Sequence, residues 1–207
     1  SVIMIICFGR EFGSGGHEIA KNLAGKLHLS LYDNELLEKA VEKDSVYSEV
    51  LKDSDEKKPN SWLYHKIYDG EDEDLRGLST NDFLFQKQSQ MILEYAEQDN
   101  CIFVGRCADY VLSMKNIHHI SIFISAPFTQ RVARKKQLLN LDEKKTVALV
   151  RKKDKQRKSY YDFYTGRNWG KPHNYDLCVN SFAIDLDSTA KFLSSSIFEM
   201  ECIKNGK

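Results

Sequence analysis

The sequence predicts an α/β fold: a five-stranded parallel sheet flanked by helices. Two observations lead there. Five short apolar runs alternate along the chain with helix-patterned segments, as expected for strands joined by right-handed helical crossovers. The first strand-to-helix connection contains Gly13-Ser-Gly15-Gly16, a composition that lets main-chain amides converge on an anion. A dinucleotide-binding sheet is the competing architecture, and it expects G-x-G-x-x-G followed by a ribose-binding acid on the second strand. Here the last glycine is missing and Asp33 arrives early.

Val2 to Phe8 is apolar and rich in β-branched residues, as a strand buried on both faces should be. From Gly16 onward Ile19, Leu23 and Leu27 share a face with Ala20 and Ala24, so a helix starts where the glycine turn ends. Its N-terminus offers free N–H groups and a partial positive charge to a phosphate. The match to G-x-x-x-x-G-K-[ST] is partial. With Gly15 as the last glycine, the first falls on Arg10, Gly16 takes the lysine position and His17 takes the hydroxyl position. The alternatives on this stretch are a phosphate-binding loop and a plain tight turn.

The second strand, Leu29 to Tyr32, ends in Asp33-Asn34-Glu35. Asp33 sits where ligands of open α/β sheets bind, and it also suits the N-cap of the next helix. Residues 43–79 are charged and poor in aliphatics, and they read as a mostly helical insertion over the crevice. A long helix through Phe83, Phe85, Met91, Ile92 and Tyr95 follows, then a third strand, Cys101 to Val104. Arg106, directly off its end, presents a planar fork suited to a phosphate; the plain reading is a surface pair with Asp109. Ile117 to Ile124 is the fourth strand, and its His118–His119 pair reads as a strand-edge feature. Pro127 and Leu141-Asp142-Glu143 open two further helices. The second carries Arg151 and Arg157, bordering aromatics, Gly166 and Arg167, as a lid closing on phosphates requires. Asp176 to Asn180 makes the fifth strand. Asp185 to about Ile203 forms the closing helix, with Phe192, Ile197 and Met200 turned inward.

A chain of 207 residues is long enough to bury a substantial core. Lys plus Arg and Asp plus Glu are both 30, so overall charge indicates neither a nucleic-acid nor a membrane partner. No run approaches membrane-spanning length, and residues 1–8 are too short for a signal peptide. The five cysteines follow no metal-ligand spacing, and no metal site is expected from protein ligands. Buried free thiols in a reducing, cytoplasmic setting are the expectation.

Four segments carry a resemblance to a known family: Gly9-Arg-Glu-Phe-Gly-Ser-Gly-Gly16 with Glu18-Ile-Ala-Lys21; Leu31-Tyr-Asp-Asn-Glu35; Val104-Gly-Arg-Cys-Ala-Asp-Tyr-Val111; and Tyr160-Tyr-Asp-Phe-Tyr-Thr-Gly166 through Asn174 to Ser181. With them in this order, the chain resembles the cytidylate kinase-like family. The resemblance implies a P-loop NTPase fold of the nucleoside monophosphate kinase type, with a degenerate phosphate loop. It implies one kinase-like domain over 1–207: a core (1–42, 98–140, 174–207), a helical substrate-binding insertion (43–97) and a lid (141–173). The implied activity is transfer of the ATP γ-phosphoryl group to CMP, dCMP or a related acceptor, with Mg2+. Phe12, Gly13, Ser14, Gly15, Gly16 and His17 would wrap the donor phosphates. Arg106, beside Asp109, would hold the acceptor. Asp33 would orient the acceptor or a magnesium-bound water, and Arg151 and Arg157 would stabilise the transferring group. Arg10 is the candidate to swing over the loop in place of the lysine. The departures at Gly16 and His17 equally suit a nucleotide-binding regulator without turnover. The scaffold also suits a kinase of a non-nucleotide small molecule. A homodimer is compatible with the sequence.

Overall fold

The computed structural model describes residues 3–42 and 80–205; the insertion expected over 43–79 lies outside them. The elements run β1 (Ile5–Arg10), α1 (Gly16–Leu27), β2 (Ser30–Tyr32), α2 (Asn34–Glu42), α3 (Thr80–Gln98), β3 (Cys101–Val104), α4 (Ala108–Met114), β4 (Ile120–Ser125), α5 (Phe128–Leu139), α6 (Glu143–Thr165), a short 3-10 turn (Pro172–Asn174), β5 (Leu177–Asn180) and α7 (Leu186–Asn205). All five strands are parallel, in the order β2-β3-β1-β4-β5. The first strand in the chain is therefore the middle of the sheet, with its C-terminal end between β3 and β4, where an open α/β sheet leaves its binding crevice.

Alternation along β1 and β3 divides the core. Ile5, Cys7, Cys101 and Phe103 face a cluster with Phe85, Ile92, Val111, Tyr161 and Tyr164. Ile6, Phe8, Ile102 and Val104 face the other, with Ile19, Leu23, Leu193 and Ile197 from α1 and α7. Burial on both faces is why these strands read as unbroken apolar runs.

Several boundaries differ from the sequence reading. β1 continues through Gly9 and Arg10 because both pair with β4, opposite Phe123 and Ile124. β4 begins at Ile120; His118 instead meets Glu201 at 3.0 Å, and His119 Nδ1 meets the Ile117 carbonyl. On α7 the buried apolar positions are Ala190, Leu193 and Ile197, whereas Phe192 is 53 % exposed, one residue out of phase with that face. Cys7, Cys101 and Cys107 are buried, while Cys178, on edge strand β5, and Cys202 are exposed. No described helix is long and apolar enough to cross a membrane.

Candidate active site

The glycine turn between β1 and α1 forms an open bend. Gly13 and Gly15 take φ of 87° and 79°, the left-handed region that glycine enters without steric cost. The bend is closed from inside: the Ser14 N–H and Oγ both reach the Glu11 carbonyl, at 3.3 and 2.8 Å. Ser14 Oγ also accepts from the Gly16 N–H at 3.3 Å. Ser14 is fully buried, so this side chain shapes the loop and does not present its hydroxyl to a ligand. Among the described residues the N–H groups of Gly13, Gly15, His17 and Glu18 have no protein acceptor. These are the donors that a loop at a helix N-terminus presents to phosphate oxygens.

Helix α6 is seated directly on this loop. Phe12 N–H donates to Asp154 Oδ1 at 2.7 Å, and Arg157 Nη1 donates to the Arg10 carbonyl at 2.9 Å. Asp154 also pairs with the buried Arg131 (2.6 Å), whose Nε lies 3.3 Å from Glu11 Oε2 and donates to the Ala126 carbonyl. The basic run on α5 thus contributes a structural brace, Arg131, alongside solvated charges. Lys135 and Arg157 lie over the Phe12 ring at 4.5 and 5.5 Å.

Two hollows flank the sheet end. One, of about 410 Å³, lies over the loop and is lined by residues 10–13 and 15–18 with Arg134, Lys135, Leu138 and Arg157. The other, of about 490 Å³, is walled by Asn34, Glu35, Gly105, Arg106, Asp109, Lys153, Tyr160, Tyr161, Trp169 and Tyr175. Arg10 and Arg157 line both.

At the head of the second hollow, Gly105, Arg106 and Cys107 occupy the left-handed region in succession, with φ of 81°, 55° and 58°. For the two non-glycine residues this is strain, of the kind that persists where surrounding structure over-determines it. It turns the Arg106 guanidinium over the Tyr160 ring, 5.3 Å from its centre. Burial, with the charges of Arg157 and Arg106 nearby, lowers the Arg10 pKa to about 9, and Asp33 acts in the opposite sense; Arg10 therefore stays charged at neutral pH. Burial also lowers Arg157, against the pull of Asp154. Asp109 is buried and accepts from Tyr161 O–H at 2.7 Å. It is therefore no surface partner, and burial raises its carboxyl pKa despite that bond.

Asp33 takes the N-cap role that the sequence offered, and it also reaches the first turn of α1. Its Oδ1 accepts from the Leu36 N–H, capping α2, and its Oδ2 meets His17 Nε2 at 2.9 Å. Burial pushes its pKa up, but these bonds outweigh that and hold the carboxyl below its ordinary range. Arg151 is not brought to the junction. It lies over Phe128 at 5.4 Å, six residues before Arg157, which on a helix is about 9 Å along the axis and a different face. Asn34, Lys153 and the aromatic wall were not singled out by sequence. Asn34 directly follows the acidic strand end, a signal that could have found it. Its Oδ1 is buried with no partner among the described residues.

Residues 5–183 match the cytidylate kinase-like family. A comparison with curated proteins found no match. Among solved structures, an uncharacterized protein from Eubacterium ventriosum ATCC 27560 is 31% identical over 95% of this chain and 98% of its own, with TM-score 0.71. Shikimate kinase from Bacteroides thetaiotaomicron superimposes with TM-score 0.55 at 14% identity, covering 94% and 98% of the two chains. Shikimate kinase from Acinetobacter baumannii in complex with shikimate gives 0.53 at 11%, covering 95% and 94%. These last two establish a shared P-loop kinase fold.

Proposed function

The chain belongs to the cytidylate kinase-like family, and from that premise we propose that it transfers the γ-phosphoryl group of ATP to a nucleoside monophosphate of the CMP or dCMP type. The observation carrying this is the pair of hollows that meet at Arg10 and Arg157. A phosphoryl group passes between two bound partners, so it needs a junction lined by fixed positive charge, and little covalent work from the protein.

The loop hollow fits the donor, because its open amides suit a triphosphate. A further hollow of about 460 Å³ shares Arg134 with it as a lining residue, lies between α5 and residues 181–186, and has room for the nucleobase. The second hollow fits the acceptor. Arg10, Arg106, Lys153 and Arg157 face it, against the carboxyls of Glu35 and Asp109. That excess of cations suits an acceptor bearing a phosphate. Its oxygen is already ionised, so it can attack the γ-phosphorus, form the new P–O bond and release ADP without a general base.

The donor set suits Mg2+ only as a companion of the nucleotide. Among the described residues no three His, Cys, Asp or Glu side chains gather closely enough to hold a metal ion. The imidazole of His17 replaces a hydroxyl, leaving Asp33 as the hard oxygen ligand beside it. Magnesium accepts such a site, since it keeps several waters and binds through one or two carboxylates plus phosphates. It would neutralise charge on the donor phosphates, while Asp33 would orient it or the acceptor. A cytoplasmic setting, with ATP at hand and thiols reduced, agrees with this reading.

The test is coupled-assay turnover of ATP against CMP, dCMP, the other nucleoside monophosphates and shikimate. Turnover highest with the cytidine nucleotides is expected. Activity confined to a non-nucleotide hydroxyl would overturn the acceptor assignment. ATP binding with no turnover on any acceptor would indicate a regulator.

A further inference from the structure

We propose that Arg10 performs the work of the missing loop lysine, and that position 16 is glycine because the Arg10 stem fills the space a side chain there would need. This rests on the donor-loop reading above and extends it by explaining two of the three departures from the motif, Arg10 and Gly16, as one exchange.

The geometry is direct. A Cβ placed on Gly16 would lie 2.6 Å from Arg10 Cβ and 3.0 Å from its Cγ, with Ile124 Cβ at 3.3 Å. The first contacts are with the root of the arginine, which cannot swing aside as a side-chain tip can. Gly16 is not among the residues with positive φ, so backbone conformation does not require glycine there; space does. A lysine at 16 and an arginine at 10 are mutually exclusive.

The far end of Arg10 shows what it gained. A Cβ on Gly105 would lie 2.6 Å from Arg10 Nη1, so the side chain crosses from the donor loop to the wall of the acceptor hollow. Its Nε is buried and has no partner among the described residues. Arg157 bonds the Arg10 carbonyl from one side, and both guanidinium groups border the two hollows. Gathering like charges is unfavourable until an anion sits among them, and a phosphoryl group in transit is such an anion. As the acceptor oxygen bonds to the γ-phosphorus and the bond to ADP breaks, charge moves over the equatorial and bridging oxygens. Arg10 remains protonated throughout and donates hydrogen bonds to those oxygens, and its planar fork can engage two of them where an ammonium is a point charge.

The test uses the full chain, with inorganic tripolyphosphate and ATP as probes in calorimetry and thermal melting without ligand as a second readout. The variants are Arg10→Gly, Gly16→Lys and the double substitution; glycine is chosen at 10 because even an alanine Cβ would keep the 2.6 Å conflict. Arg10→Gly is expected to bind both probes at least tenfold more weakly. Gly16→Lys is expected to melt earlier than the parent, and the double variant to recover both melting temperature and tripolyphosphate binding relative to the single variants. Parent and Arg10→Gly binding tripolyphosphate equally would overturn the proposal while leaving the donor site intact. So would a Gly16→Lys protein as stable as the parent. A parent that binds neither probe would overturn the donor-site reading and this proposal together.

Discussion

Asp154, in the middle of α6, accepts a hydrogen bond from the Phe12 backbone N–H at 2.7 Å while its other oxygen pairs with Arg131 at 2.6 Å. One carboxylate thereby fixes the phosphate loop, α5 and α6 to each other. Asp154→Ala should remove both contacts and leave the buried Arg131 with Glu11 as its remaining carboxylate, at 3.3 Å. A loss of about 2 kcal/mol is expected for such a buried charged hydrogen-bond partner. For a chain of this size that is a fall of roughly 4–8 °C in melting temperature. A melting curve superimposable on the parent's would show that the brace is not needed.

Arg106 combines a strained backbone with a guanidinium in the hollow proposed for the acceptor, so Arg106→Gly separates the two. Relief of the left-handed conformation should offset the lost packing on Tyr160, leaving the variant at least as stable as the parent in thermal melting. Acceptor KM should rise about 100-fold, the equivalent of roughly 2.7 kcal/mol for a charge-assisted phosphate contact, with ATP affinity little changed. Equal loss of ATP and acceptor binding would remove Arg106 from the acceptor side.

Burial raises the Asp109 pKa above the ordinary 3.8, and the sign of its contribution follows. Between 3.8 and the raised value the folded chain holds a proton there that the unfolded chain has released. Stability from this group is therefore complete below 3.8 and declines as pH rises through the folded pKa. Denaturant unfolding of Asp109→Asn across this window should show a shallower decline than the parent. Parallel pH profiles would contradict it.

His28 ends α1 in the left-handed conformation, with φ 54° and its N–H on the Ala24 carbonyl. It is exposed and lines neither hollow at the sheet end. His28→Gly should stabilise the chain by about 0.5–1 kcal/mol by easing the cap, with turnover unchanged. Denaturant midpoints compared at constant m-value would measure this.

Much of the molecule was legible in the sequence because the signals were local. Unbroken apolar runs fixed the doubly covered strands, and Gly13 to Gly16 marked the bend between β1 and α1. The position of Arg106 beyond a strand end could be read from the apolar run that precedes it. The features that escaped depend on what meets across the fold. Ser14 turns inward because Glu11 and Ser181 lie behind it, Ser181 Oγ donating to its carbonyl at 2.5 Å. Arg131 stands in a basic stretch with Arg134, Lys135 and Lys136, and only Asp154 and Glu11, arriving from other segments, distinguish it as a brace. Phe192 misled because a large apolar side chain outweighed the phase set by Ala190, Leu193 and Ile197. The wall of the second hollow joins Tyr160 and Tyr161 on α6 to Trp169 and Tyr175 beyond its end, and no single periodicity links them.

The two clasps that hold α6 down, Asp154 to the Phe12 amide and Arg157 to the Arg10 carbonyl, take hold of peptide groups. They are therefore indifferent to which side chains the bend carries, proline at 12 excepted. The side chains at positions 10 and 12 can therefore change while these two clasps persist, so what this corner of the protein displays and what closes it can vary independently.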